Sequence, residues 1–310
     1  MAEITAAMVK ELREKTGAGM MDCKKALEEA GGDINRAIDI LREKGLAAAA
    51  KKAGRVAAEG LIAAHVSGDG KVGALVEVNC ETDFVARNEE FRTFALTLAR
   101  QVAEKAPADL EALLKQPYAG GDGATVEEFV KALVAKIGEN QSVRRFVRMA
   151  VEGEGVVHHY IHGGTEAGRV GVLVQVAGSS APEAHELAHE LCLQIASMRP
   201  QYLRREEVPE AVLEHERQVQ RQKALNEGKP EKIVDRIVQG QIEKFFRENV
   251  LLEQAWVKDD KKKIADLVKE YSQKVGAELQ VVRFARFEVG EGIEKKADDF
   301  AEEVKRMAGQ

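Results

Sequence analysis

Two stretches decide the fold: EGLIAAHV at residues 59–66 and EGVVHHYI at residues 154–161. Each predicts a strand, and in each copy a Gly-containing turn, a second strand and a helix follow. The matching pieces are GALVEV at 73–78 with GVLVQV at 171–176, and RQVAEKAP at 100–107 with LQIASMRP at 193–200. A repeated strand–turn–strand–helix unit predicts an α+β fold with two related antiparallel-sheet-plus-helix core subdomains, rather than a parallel Rossmann sheet.

The segment before the first copy predicts three short helices. Thr5 and Asp33 are suitable N-cap residues for the first and third helices. Glycines follow each helical pattern, at Gly17, at Gly31 and at Gly45, and should end the helices. Such a compact three-helix bundle is similar to the ubiquitin-associated domain.

Later segments add strands and an inserted helical hairpin. VRRFVRMAV at 143–151 and LQVVRFARFEV at 279–289 alternate as strands do. If both pair with the second hairpin, the sequence between them is an insertion. Pro209 and Pro230 each open a helix, which predicts a helical hairpin there. The run from Ile293 to Met307 predicts a C-terminal helix.

These patterns predict five parts of the chain. They are a ubiquitin-associated-like helical domain with its linker at 1–50, a core N-subdomain at 51–140, a core C-subdomain at 141–208 and 247–289, the inserted hairpin at 209–246, and a C-terminal helical module at 290–310.

Composition limits the partners and the compartment. The net charge of −6 argues against direct binding of nucleic acid, which needs a basic surface. No apolar run approaches membrane-spanning length, and the chain starts with an amphipathic helix instead of a signal peptide. The three cysteines are scattered, which favours a reducing compartment. We therefore expect a cytoplasmic protein without membrane contact.

Histidines provide the only candidate for enzymatic chemistry. His185-Glu186-Leu187-Ala188-His189 matches HExxH, in which two histidines one helical turn apart bind Zn²⁺ and the glutamate acts as a base. The repeat argues against this interpretation, because the same helix must cover its sheet with an apolar stripe. His158, His159 and His162 form a second group that lacks a nearby Cys or carboxylate at ligand spacing. We expect no catalytic residue, no metal and no cofactor.

The segment Thr82-Asp83-Phe84-Val85-Ala86-Arg87 is unusual because the second copy lacks it. It lies between a strand and a helix that Asn88 can cap. An exposed Phe in such a loop indicates a contact site. Alternatively, Phe84 packs beneath the helix as part of the core, and the sequence favours neither interpretation.

Long motifs throughout the chain resemble the elongation factor Ts family. They are TGAGMMDCKKALEEAGGDINRAIDILREKG at 16–45, NCETDFVARN at 79–88, AKIGENQSVRR at 135–145, His162-Gly163 and RFEVGEGIEKK at 286–296. The resemblance covers nearly the whole chain in the family's order. It implies a guanine-nucleotide exchange factor that binds elongation factor Tu, both GDP-bound and nucleotide-free, during translation elongation. The sequence leaves open whether the protein also forms a weak homodimer.

The resemblance also implies site residues. Thr82, Asp83, Phe84 and Val85 would wedge against the partner's GTPase domain and disturb its Mg²⁺ site. Further contacts would come from Met20, Met21, Lys24, Ile137, Gly138, Glu139, Asn140 and His162. Residues 164–167 lengthen the loop after His162-Gly163 compared with the family's usual form.

Two other functions compete with this interpretation. One is an adaptor that binds a partner through the helical bundle without altering nucleotide affinity. The other is a zinc hydrolase built on His185, Glu186 and His189. Nucleotide-release kinetics with the GTPase distinguish an exchange factor from an adaptor. Metal analysis of the purified protein distinguishes it from a zinc hydrolase.

Overall fold

The computed structural model describes residues 4–294, so the predicted C-terminal helix and most of the 290–310 module lie outside the described residues. The helices are α1 Ala6–Thr16, α2 Met20–Glu29, α3 Ile34–Lys52, α4 Asp83–Ala86, α5 Glu89–Lys105, α6 Leu110–Lys115, α7 Val126–Ile137, α8 Pro182–Met198, α9 Glu210–Asn226, α10 Glu231–Asn249 and α11 Ile264–Val275. The strands are β1 Glu59–Val66, β2 Val72–Cys80, β3 Gln141–Ala150, β4 Gly155–His162, β5 Ala167–Gly168, β6 Val170–Ala177, β7 Ala255–Trp256, β8 Asp259–Lys263 and β9 Gln280–Glu288.

The predicted α+β class is confirmed. One sheet has the strand order β3-β2-β1-β5, a second has β4-β6-β9, and β7 pairs with β8. The second hairpin is antiparallel, with Gly155 opposite Ala177 and His162 opposite Val170. Both copies of the repeat therefore form a strand pair followed by a long helix, α5 in the first copy and α8 in the second.

Contacts divide the described chain into two units. Among residues 4–294, the first unit contains 4–63, 76–146 and 288–294, and the second contains 64–75 and 147–287. Among residues 4–294, no helix combines the length and the apolar composition that crossing a membrane requires.

The N-terminal bundle begins as its caps predict. The side chain of Thr5 accepts a hydrogen bond from the Met8 amide, and that of Asp33 accepts one from the Arg36 amide. Gly17 ends α1 in the left-handed conformation, with φ 66°. The bundle core consists of buried apolar side chains, namely Val9, Leu12, Cys23, Ala26, Leu27 and Ala37.

The prediction that Gly45 ends the third helix is wrong. Helix α3 continues through Gly45 to Lys52 and packs against α7. A Cβ at Gly45 would lie 2.9 Å from the Cβ of Ala135 on α7. The missing side chain therefore allows two helices of the first unit to approach closely, and the salt bridge from Arg42 to Glu128 joins the same pair of helices.

The two strands predicted at 143–151 and 279–289 join different sheets. As predicted, β9 joins the second hairpin, but β3 pairs with β2 of the first sheet instead. The reason is electrostatic, because Glu77 on β2 is fully buried and needs partners. Arg144 and Arg145 on β3 provide them, with N–O distances of 3.0 and 2.6 Å.

The Glu77 carboxylate also holds the chain that follows β9. It accepts a hydrogen bond from the Gly290 amide at 2.9 Å. Burial alone raises the pKa of this carboxyl, but the Gly290 amide and the two arginines outweigh it, so the pKa lies below its ordinary value. A carboxylate held by these donors stays charged, and its contacts join β2, β3 and the chain that follows β9.

Helix α8 covers the second sheet with the predicted stripe. Its buried residues include Ala184, Leu187, Ala188, Leu191 and Ile195. The predicted helical hairpin is present as α9 and α10, whose own core includes Val234, Val238 and Ile242.

Some elements were not predicted, including α7, α11 and the β7–β8 pair. The lengthened loop at 164–167 also has a structural role. It leads into β5, and the Glu166 carbonyl accepts a hydrogen bond from the Ala64 amide of β1 at 2.8 Å.

Because Gly45 and Gly240 both lie inside helices, replacing each with Ala tests the close approach of α3 and α7. Nothing lies within 4 Å of a Cβ at Gly240, so Gly240→Ala should stabilise the protein by up to about 1 kcal/mol through helix propensity. At Gly45 the same gain is outweighed by overpacking, which costs about 1–3 kcal/mol, so Gly45→Ala should destabilise. Urea unfolding measures both changes, and equal stabilisation by the two variants would contradict close packing at Gly45.

Candidate functional site

The segment that only the first copy has forms an ordered helical turn. Thr82 caps α4, its side chain accepting a hydrogen bond from the Val85 amide at 3.4 Å. Asn88 then caps α5 through the amides of Glu90 and Phe91. The turn is therefore bounded by two capping residues.

Burial within this turn is sharply divided. Val85 and Ala86 are each 7% exposed, whereas Phe84 is 80% exposed. The alternative in which Phe84 packs beneath the helix is therefore wrong. Because Val85 is buried, its side chain anchors the turn and is not available to another protein, which leaves Phe84 as the apolar residue that the turn presents.

Glu139 holds the start of the turn. One carboxylate oxygen accepts a hydrogen bond from the Thr82 amide at 3.0 Å, and the other accepts one from the Thr82 hydroxyl at 2.7 Å. Helix α7 ends just before this residue, because Gly138 adopts the left-handed conformation with φ 89°. The structure thus brings two predicted site segments, 82–85 and 137–140, into direct contact.

The contact is reciprocal. The Asn140 amide donates a hydrogen bond to Glu81 at 2.5 Å, and the Asn140 side chain donates one to the Arg55 carbonyl at 2.7 Å. Glu81 also lies 3.6 Å from the Arg55 guanidinium in a salt bridge. Sequence reasoning missed Glu81 and Arg55. Since Asn140 is buried, its side chain is engaged within the chain.

The other residues around the turn differ in their availability. Asp83 lies at the surface in a salt bridge to Arg87 of 2.9 Å, and such an exposed pair is readily exchanged for another partner. Cys80 is buried beneath the turn, and burial together with the charges of Glu139 and Glu59 raises the pKa of its thiol to about 12. Cys80 is therefore a protonated core residue at neutral pH.

A second exposed apolar surface lies on the N-terminal bundle. Met20 and Met21 begin α2 and are 59% and 62% exposed. Lys24 follows one turn later and is also exposed, 3.9 Å from Glu28. Methionine pairs at a helix surface are adaptable contacts for another protein.

His162 ends β4 in the second unit and is exposed. Its ring Nδ1 lies 3.1 Å from the Tyr160 hydroxyl. Ile137, the last residue of α7, is half-buried.

The HExxH helix has a structural explanation, because its apolar stripe covers the sheet. His189 lies at the surface, with its Nδ1 3.2 Å from Nε2 of His158. Burial, with contributions from His189, His159 and His185, lowers the pKa of His158 to about 4. Within residues 4–294, no group of three or more His, Cys, Asp and Glu side chains is arranged to hold a metal ion.

Exposed hydrophobic side chains on ordered supports are typical of a protein that acts by binding another protein. Comparison with known sequences gives the class, a translation elongation factor: the family described as elongation factor TS matches residues 81–291.

Relatives that match over nearly their full length belong to the same family. The chain is 58% identical to elongation factor Ts of Symbiobacterium thermophilum, with 100% of this chain and 99% of that protein covered. It is 54% identical to elongation factor Ts of Clostridium perfringens strain 13, with 99% and 100% covered, and 52% identical to that of Clostridium tetani, with 98% and 99% covered. The chain belongs to the elongation factor Ts family.

The difference in burial between Phe84 and Val85 predicts stability effects of different size at these adjacent positions. Phe84→Ala should change the free energy of unfolding by no more than about 0.5 kcal/mol, because the ring contacts solvent. Val85→Ala removes buried methyl groups and should cost about 2 kcal/mol. Urea unfolding of both variants measures the difference, and a large loss in Phe84→Ala would place its ring in the core.

Proposed function

We propose that this protein is a guanine-nucleotide exchange factor for elongation factor Tu and acts in the cytoplasm during translation elongation. The observation that carries the proposal is the exposure of Phe84, 80%, on a turn whose neighbouring residues are buried or hydrogen-bonded. Membership of the elongation factor Ts family supports the choice of partner.

Exchange follows from linkage between two binding events. A factor that binds the nucleotide-free GTPase more tightly than the GDP-bound form must lower the affinity for GDP by the same ratio. Equal affinity for both forms would shift nothing. The factor therefore needs a contact that forms fully only when the nucleotide site is distorted.

Phe84 supplies such a contact in this proposal. An exposed Phe side chain gains about 1.5–3 kcal/mol on full burial, so a pocket that opens only in the distorted partner would favour that state. Asp83 would leave Arg87, to which it is paired at the surface, and add negative charge near the partner's Mg²⁺ site. Neither residue performs covalent chemistry.

The remaining exposed residues supply docking in this proposal. Met20, Met21 and Lys24 would bind elsewhere on the partner, and residues 1–50 would serve mainly for association. His162 would add a contact from the second unit. The proposal requires no nucleic acid or membrane, in keeping with the net charge of −6.

The wedge is tested by release of a fluorescent GDP analogue from elongation factor Tu in a stopped-flow instrument. Phe84→Ala should reduce the release rate at saturating factor by tenfold or more, because the contact with the distorted state is lost. Asp83→Ala should reduce it less. Val257→Ala is the matched control, since this side chain is also exposed, 49%, and should leave the rate unchanged.

The same assay distinguishes the proposed exchange factor from an adaptor. An adaptor would bind elongation factor Tu without accelerating release, so an inactive parent protein would overturn the proposed function. Full activity in Phe84→Ala would instead remove the wedge and leave exchange to other contacts.

Docking by the bundle predicts a different kinetic change. Deleting residues 1–50 would cut α3, which packs on α7, so surface substitution is the cleaner test. Met20→Ala combined with Met21→Ala should raise the half-saturating factor concentration about tenfold. The release rate at saturation should remain near the parent value, and a lowered saturated rate would show that the bundle takes part in exchange itself.

A further inference from the structure

Glu139 has a geometry that differs from that of a free surface contact. Each of its two carboxylate oxygens already accepts a hydrogen bond from Thr82, at 3.0 Å from the amide and 2.7 Å from the hydroxyl. Hydrogen bonds to a charged acceptor are stronger than those between neutral groups. The Glu139 side chain is therefore engaged within the chain before any partner binds.

The hydrogen bond from the hydroxyl determines the cap of α4. A Thr hydroxyl has one hydrogen to donate, and here the Thr82 hydroxyl donates it to Glu139. The lone pairs of the oxygen then remain free to accept the hydrogen bond from the Val85 amide that starts the turn. Removal of the carboxylate frees the hydroxyl to rotate and leaves the Thr82 amide without its acceptor.

The neighbouring hydrogen bond runs in the opposite direction. Glu81, beside Thr82, accepts from the amide of Asn140, beside Glu139. Two short segments, 81–82 and 139–140, thus hold one another by reciprocal hydrogen bonds. Phe84 lies two residues beyond this joint, on the turn that the joint orients.

We propose that Glu139 is a positioning residue, which fixes the turn that presents Phe84 and acts on exchange through Phe84 rather than by touching the partner. The inference rests on the proposed function. Its physical basis is preorganisation: a turn that is already ordered avoids the entropic cost of ordering when Phe84 enters its pocket.

A double-mutant cycle distinguishes positioning from direct contact. Glu139→Gln keeps the size of the side chain but replaces one acceptor oxygen with a donor, which cannot accept from Thr82. In the otherwise unchanged protein this variant should slow saturated GDP release about fivefold. Combined with Phe84→Ala it should slow release by less than twofold further, because no Phe84 remains to be positioned.

Substitutions at Thr82 provide the matched control. Thr82→Ser keeps the hydroxyl and should therefore lose clearly less of the saturated release rate than Thr82→Val does. Thr82→Val is similar in shape but lacks the hydroxyl, and it should reproduce the fivefold loss of Glu139→Gln. Similar losses in Ser and Val would show that the hydroxyl hydrogen bond is not what positions the turn.

Hydrogen exchange of the free full-length protein tests the inference without the partner. In Glu139→Gln the amides of residues 83–86 should exchange at least tenfold faster, while those of α8 stay unchanged. Unchanged exchange at 83–86, or equal losses of activity with and without Phe84, would overturn the positioning role. An inactive parent protein would overturn only the proposed function, because the exchange measurement would still report on the turn.

Discussion

The site depends on the buried anchoring of one short turn. Successive residues of a helical turn point about 100° apart, so burying Val85 and Ala86 in the first unit directs the preceding side chain outward. Phe84 thereby stays in water, forgoing about 1.5–3 kcal/mol of burial. The packing and hydrogen bonds of the neighbouring residues offset this loss. They keep the large apolar side chain of Phe84 exposed but ordered.

The two copies of the repeat show how such a turn can be accommodated. Both connect a hairpin to a long covering helix, but the first uses residues 81–88 for the connection and the second uses 178–181. The additional residues form α4 at the surface, where extra chain disturbs neither the sheet nor the helix stripe. In the second copy, the covering helix α8 contains the HExxH sequence. Its apolar stripe nevertheless packs on the sheet, as the stripe of α5 does in the first copy.

Polar residues near the turn have intramolecular functions that a motif alone does not reveal. Glu139 and Asn140 belong to a segment implied to contact a partner, yet both are hydrogen-bonded within the chain. In the proposed mechanism, a carboxylate that orders the turn contributes to exchange without touching the partner. Hydrogen bonds help to distinguish the two roles, because each carboxylate oxygen of Glu139 already accepts a hydrogen bond from Thr82.

Local sequence patterns determined many of the helices and strands of this protein. The caps at Thr5 and Asp33, the repeated hairpins and the paired helices after Pro209 and Pro230 all follow from residues a few positions apart. Helix capping and hydrophobic periodicity act over such short distances, so sequence alone predicted them correctly. The segment around Phe84 was also recognised as unusual from the sequence, because the second copy lacks it.

Tertiary structure decided what depends on distant neighbours. Only the structure shows that Gly45 lies within a helix, where Ala135 of α7 approaches it closely, and that β3 joins the sheet in which Glu77 is buried. The exposure of Phe84 likewise depends on Val85 being buried and on Glu139 reaching Thr82, a residue far away in the sequence. Periodicity specifies that a strand or helix forms, whereas burial and charge pairing between remote segments select its neighbours.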